Sequence, residues 1–135
     1  MRFHTILTSF IVFCLIVQTC QKEDVTIDLE LNNWKVEEVK WSGQSNSVKT
    51  DSLYIIEFHS DSSLNLQLDV NTCFGKYFIQ NIGEIEIRGM GCTEMCCDSE
   101  FAESLPSLFL KMTRYYGKGE RLYLEGEGEI VLEKY

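Results

Sequence analysis

The chain has 135 residues, with 12 Lys and Arg against 21 Asp and Glu for a net charge of −9, and 44% of its residues are hydrophobic. That length suits one domain able to bury a core without help from a metal. The acidic residues are spread along the sequence with no basic stripe, which argues against a nucleic-acid partner and against electrostatic attachment to anionic lipid.

The first twenty residues, "MRFHTILTSFIVFCLIVQTC", carry Arg2 and then an apolar run from Ile6 to Val17. This run is short for a membrane span and has the layout of a secretory signal. It ends in Val17-Gln18-Thr19-Cys20, which resembles a bacterial lipobox, and the "QKED" that follows is similar to the start of many Bacteroidota envelope lipoproteins. The resemblance implies a signal over 1–19, acylation of Cys20, a tether over 20–24 and a domain over 25–135. Two other readings stay open: a cleaved signal with Cys20 as a spare cysteine, and an uncleaved anchor helix. More than one acyl chain on Cys20 would hold the protein on the membrane. A tether of five residues reaches roughly 17 Å from the bilayer.

From Val25 onward the periodicity is mostly that of strands. "VTIDLELNN" alternates, and "WKVEEVKW", "SLYIIEF", "GKYFIQ", "TRYYG", "RLYLE" and "EIVLEKY" are short strand candidates separated by "SGQSNS", "HSDSS", "NIG", "GKG" and "GEG". "SLNLQLDV" puts Leu64, Leu66, Leu68 and Val70 on one face, and "GEIEIRG" does the same for Ile85 and Ile87. In "SEFAESLPSLFLKMTR" the spacing of Phe101, Leu105, Leu108, Phe109 and Met112 predicts a helix. Pro106 places its start near Ser104, with the proline in the first turn. The expected fold is α+β and mostly β: a small antiparallel barrel or roll with one helix packed on it.

Export changes the meaning of the cysteines. Past Cys20 they form an even set, Cys73, Cys92, Cys96 and Cys97, and in an oxidising compartment the default is disulfide bonding. Zinc is the rival, but Cys92-x₃-Cys96 is half of a usual site and the domain has one histidine, His59. A redox Cys-x-x-Cys is absent. A bond between the adjacent Cys96 and Cys97 would close a tight ring across one peptide, so each is expected to pair elsewhere.

Catalytic groups are sparse. His59 enters a turn beside Ser60 and Asp61, and sequence neighbours do not make a triad. Glu84 and Glu86 share a strand face as a glycosidase pair would, although alternating glutamates more commonly mark a solvated face. The closely spaced glycines lack the lysine and helix of a phosphate loop. "DSSLNLQLD" lacks the glycine and glutamate of a calcium loop. Trp34, Trp41, Tyr115 and Tyr116 could line a binding surface, although most such aromatics are expected in the core or at the barrel rim.

The order of these segments carries a family resemblance. "LNNWKVEEV", "YIIEF", "DSSLNLQLDVNTCFGKYFI", "IEIRGMGCTEMCCDSEFAESL" and "RLYLEGEGEIVLEKY" together are similar to the META domain of HslJ-type bacterial lipoproteins. The family's Cys-Asn-x-Phe-x-Gly-x-Tyr corresponds to "VNTCFGKY" and its Thr-x-Met-x-Cys to "TEMCC". Asn71, Gly75, Tyr77, Thr93, Met95 and Cys97 match as structural residues. Val70 stands where the pattern has its first cysteine, and Cys73 where it has phenylalanine. The resemblance implies that Cys97 faces the "VNTCFGKY" segment, which pairs Cys73 with Cys97 and leaves Cys92 with Cys96. It also implies a noncatalytic cell-envelope domain, with no metal or cofactor, that has an interaction or structural role, in some members tied to envelope stress. The alternative is a module that binds a small ligand or inhibits an enzyme. The expected location is the outer membrane, on its periplasmic face or the cell surface, with an unknown protein or small ligand as partner.

Overall fold

The computed structural model describes residues 27–135. The expected signal, Cys20 and the tether lie outside them. One antiparallel sheet is built from β1 (Asn33–Trp41), β2 (Val48–Lys49), β3 (Ile55–Phe58), β4 (Ser63–Gln67), β5 (Thr72–Ile79), β6 (Ile85–Cys92), β7 (Met112–Lys118), β8 (Arg121–Gly126) and β9 (Gly128–Lys134), and the helix α1 (Glu100–Phe109) lies between β6 and β7 in the chain. The strand order is β6-β5-β4-β3-β1-β9-β8-β7, with β2 on β1. The sheet curls into a half-barrel until its two edges touch at one corner, where Glu84 pairs with Arg114 and the Tyr115 N–H donates to the Gly83 carbonyl at 2.9 Å. The mostly β, one-helix architecture expected from the sequence is the one observed.

Alternation fixes which residues fill the half-barrel. Leu64 and Leu66 of β4, Ile85 and Ile87 of β6, Leu122 and Leu124 of β8, and Ile130 and Leu132 of β9 all point inward and are buried. Truncating one of these fully enclosed leucines to alanine costs about 2–5 kcal/mol. In β1 the inward residues Trp34, Val36 and Val39 are not evenly spaced, and a bulge resolves the conflict. Val36 pairs with Leu132 but Glu38 with Val131, so Glu37 is the extra residue and both valines reach the core. The carboxylate of Glu37 accepts a hydrogen bond from the Arg121 guanidinium at 2.7 Å.

Two expectations change here. "VTIDLELNN" does not form a strand within the described residues: Leu29–Leu31 is a 3-10 turn capped by Asp28, and buried Leu29 offers its carbonyl to the Trp34 indole N–H at 3.0 Å. Burying Leu29 under the barrel end outweighs alternation. The helix begins four residues before the expected Ser104, with Ser99 as its N-cap accepting from the Ala102 N–H at 3.2 Å. Pro106 therefore lies inside the helix, where it removes a hydrogen bond. The cap, the acidic first turn of Glu100 and Glu103, and the burial of Ala102, Leu105, Leu108 and Phe109 offset that loss. Met112, counted in the helical stripe, opens β7 instead, and its side chain is buried in the core.

A loop pinned by a saturated asparagine

The β4–β5 connection and the loop from β6 to α1 meet around Asn71, which at 7% exposure is the buried polar side chain among the described residues. The chain reaches it by a turn in which the Leu68 N–H donates to the Asn71 carbonyl at 2.8 Å. That turn ends the alternation of β4, so Leu68 stays buried while Val70 is 43% exposed, contrary to the expectation that Val70 shares the core face.

An asparagine amide has two donor and two acceptor positions, and Asn71 fills all four. Its Nδ2 donates to the Met95 carbonyl at 2.7 Å and to Asp98 Oδ2 at 2.6 Å. Its Oδ1 accepts from the Met95 N–H at 2.7 Å and the Thr93 hydroxyl at 2.8 Å. The other carboxylate oxygen of Asp98 accepts from the Val70 N–H at 2.7 Å and the Asn71 N–H at 3.2 Å. Asp69 extends the network, accepting from the Ser99 N–H at 3.0 Å and hydroxyl at 2.7 Å. Residues 93–99 thus follow a fixed path although Met95 is 63% exposed and Cys96 and Cys97 are exposed as well.

The carboxylates respond as these contacts require. The Ser99 hydroxyl, and then its N–H, hold the Asp69 carboxyl below the usual range. Desolvation pushes Asp98 up, but the Asn71 side chain and the Val70 and Asn71 amides together outweigh it and bring this carboxyl down too.

The other motif residues serve the frame. A Cβ on Gly75 would meet Met90 Cγ at 3.0 Å and the Arg88 carbonyl oxygen at 3.2 Å, where β6 bulges at Gly89. Tyr77 is buried edge-on to Phe58, and its hydroxyl lies 2.7 Å from Glu30 Oε1 and 2.9 Å from the His59 carbonyl oxygen. Burial, then Glu30, pushes its phenol well above the usual value.

One disulfide corrects the expected pairing. Cys73 bonds to Cys92, in place of Cys73 with Cys97 and Cys92 with Cys96, and Cys96 and Cys97 stand side by side in the exposed loop. The reason is register: Cys73, fully buried on β5, stands directly opposite Cys92 on β6, whereas Cys97 lies past the end of β6 in the exposed loop.

The sequence candidates for catalysis do not converge. His59 Nε2 lies 3.2 Å from Asn65 Nδ2 and 3.9 Å from Glu57. Glu84 and Glu86 line one open surface cavity of about 540 Å³ with Arg88 and Arg114. The Arg88 guanidinium, hydrogen-bonded at 2.6 and 2.7 Å, holds Glu86 below the usual carboxylate range, the reverse of what a general acid needs. Trp34 belongs to the core, Trp41 meets Phe101 edge-on, and Tyr116 stacks on Tyr123. Asp69, Asp98 and Ser99 were missed as site residues; the Ser99 cap before an acidic turn was the signal that marked the helix start and, with it, the end of the loop.

A curled half-barrel with one helix packed on it and a loop clamped by one asparagine defines a small, mostly β domain. A family model described as the META domain matches residues 27–134. The chain belongs to the META-domain family. Its fold is similar to that of a protein from Burkholderia xenovorans solved by NMR (TM-score 0.63, 12% identity, covering 89% of this chain and 99% of that one). It is also similar to that of a DUF4847 family protein from Bacteroides vulgatus (TM-score 0.60, 12% identity, covering 78% of this chain and 93% of that one). No curated protein sequence matches the chain.

Proposed function

We propose that this protein is a lipid-anchored cell-envelope META domain that acts without catalysis, by holding a partner protein through residues 93–99. The observation that supports this reading is the loop itself. Its backbone is fixed by Asn71 while the side chains of Met95, Cys96 and Cys97 stay exposed, so little ordering entropy remains to be lost on contact. An anchored location rests on the signal-like start and lipobox-like Cys20, and the Cys73–Cys92 disulfide suits an oxidising compartment. A ligand-binding reading needs open space between sheet and helix, and fully enclosed Trp34, Leu105, Leu124 and Phe109 occupy that region. The same loop supports a narrower role, inhibition of a foreign enzyme, because a rigid exposed segment suits insertion into a cleft.

The test places a photo-crosslinking residue at Glu94 and, separately, at Lys49 on the far strand β2, in cells producing the full chain. A discrete adduct from position 94 alone, in the membrane fraction and shifted to the soluble fraction by Cys20→Ser, is the expected outcome. Adducts from position 49 alone, or a soluble wild-type protein with an unmodified N-terminus, would overturn the reading.

A further inference from the structure

We infer that the end of the half-barrel carrying Leu31, Ile82 and Tyr135 is the face the domain lays on a zwitterionic phospholipid bilayer, with residues 93–99 turned away from the membrane. The inference rests on the anchored reading of Cys20 given above and adds an orientation to it.

The most exposed large hydrophobic side chains among the described residues are Ile82 at 79%, Leu31 at 77%, Tyr135 at 64% and Met95 at 63%. Single exposed hydrophobics are ordinary on a protein surface, so their placement decides. Register gathers three of the four. Leu31 lies just before Asn33, which opens β1, and the Asn33 carbonyl accepts from the Tyr135 N–H at 2.9 Å. From Asn33 the ladder passes to Glu57, then through the pairs Phe58–Leu64, Ser63–Lys76 and Ile79–Ile85, the last of which closes the β5–β6 turn that carries Ile82. Met95 belongs to the other end. The Thr93 N–H donates to the Thr72 carbonyl at 3.1 Å where β5 begins, and the strand Thr72–Ile79 sets its two ends roughly 23 Å apart.

The chain enters the domain at the apolar end. Ile27 packs on Gly117, next to the last residue of β7, and the neighbouring Tyr115 is joined through its N–H to Gly83 of the β5–β6 turn. From Cys20 to Ile27 the chain reaches at most about 25 Å, barely the length of β5. With the loop end toward the bilayer, the tether would be used up in running the height of the sheet. With the Ile82 end toward it, the same tether is slack and the exposed side chains meet the headgroups.

The charges at this end fix the lipid class. Glu30, Asp61 and Glu120 stand there with Lys118 and Lys134, so no positive field selects anionic lipid. Leu31 and Ile82 entering shallowly among headgroups, with Tyr135 at the interface, suit a zwitterionic surface.

The full chain is produced in cells, recovered from the membrane fraction, weighed by mass spectrometry for acyl groups on Cys20, and placed in phosphatidylcholine nanodiscs that contain a nitroxide-headgroup phosphatidylcholine. Amide NMR intensities are compared before and after ascorbate quenches the nitroxide. The expected loss of intensity is greatest at residues 81–83, Leu31 and Tyr135 and least at residues 93–97. The double variant Leu31→Asp/Ile82→Asp, which alters only exposed side chains, should lose this bias while the Leu124 and Leu132 amides keep their wild-type shifts. Greatest loss at residues 93–97, even loss across the domain, or an unchanged bias in the double variant would overturn the orientation while leaving the anchor in place. A membrane-fraction chain without acyl groups on Cys20 would overturn the anchored reading and the orientation with it.

Discussion

Asn71 satisfies both main-chain groups of Met95 at once, donating to its carbonyl and accepting from its N–H at 2.7 Å each, across 24 residues of sequence. This works as one extra rung of sheet supplied by a side chain, and it fixes where β6 ends and the exposed loop begins.

Asn71→Ala should cost about 1–3 kcal/mol, since it leaves both main-chain groups of Met95 and the Thr93 hydroxyl without their partner and takes one of three donors from Asp98. Asn71→Asp should cost more: a carboxylate cannot donate to the Met95 carbonyl, and it sets a like charge against Asp98. Urea denaturation orders the three proteins. Equal midpoints for the alanine variant and wild type would refute the clamp.

Cys73 and Cys92 should be recovered as one linked pair in nonreducing peptide maps. The crosslink spans a sequence separation of 19, for which the chain-entropy estimate is about 3 kcal/mol. The double variant Cys73→Ala/Cys92→Ala should lose up to that much stability and also leave a small void at Cys73. Recovery of Cys73 with Cys97 would restore the pairing implied by the family pattern.

Much of the half-barrel was legible because burial on one face imposes alternation, as at Leu64 and Leu66 or Ile85 and Ile87. Where two demands compete, pattern alone does not decide. At Glu37 a bulge reconciles Val36 with Val39, at Leu29 burial replaces a strand by a 3-10 turn, and at Pro106 the Ser99 cap outweighs a helix breaker. The site residues Asn71, Thr93 and Met95 were legible only as motif matches. Their joint role depends on the β4–β5 turn meeting the β6–α1 loop, a contact between segments more than twenty residues apart. The disulfide pairing depended on β5–β6 register, which places Cys92 opposite Cys73 across the bulge at Gly89.

Acid should loosen the loop before it unfolds the barrel. Asp69 and Asp98 both have lowered folded values, so their contribution is complete above the ordinary aspartate range and is lost as pH falls through the folded values. Protection of amides in residues 93–99 should therefore decline below about pH 4, while amides of β8 and β9 stay protected. Asp69→Asn with Asp98→Asn should weaken the loop at neutral pH and remove this acid step. A step that persists in the double variant would assign it to other groups.

Two glycines make opposite predictions. A Cβ on Gly126 would overlap the Lys111 carbonyl, which is backbone and cannot yield, so Gly126→Ala should cost about 1–3 kcal/mol. The nearest atoms a Cβ on Gly117 would overlap belong to the Ile27 side chain. Gly117→Ala should thus be largely tolerated once Ile27 is also made alanine, and a thermal-melt double-mutant cycle should show coupling between positions 117 and 27. Strict additivity would place Ile27 away from Gly117.

Residues 93–97 expose their side chains while Asn71 holds the backbone at Met95. Amide hydrogen exchange at Met95, followed by NMR in wild type and Asn71→Ala at neutral pH, tests this most directly. The Met95 amide should be strongly protected in wild type despite its exposed side chain, and should exchange at least tenfold faster in the variant while Leu124 and Leu132 amides change little. Exchange of the wild-type Met95 amide at the rate of an unstructured peptide would contradict the account.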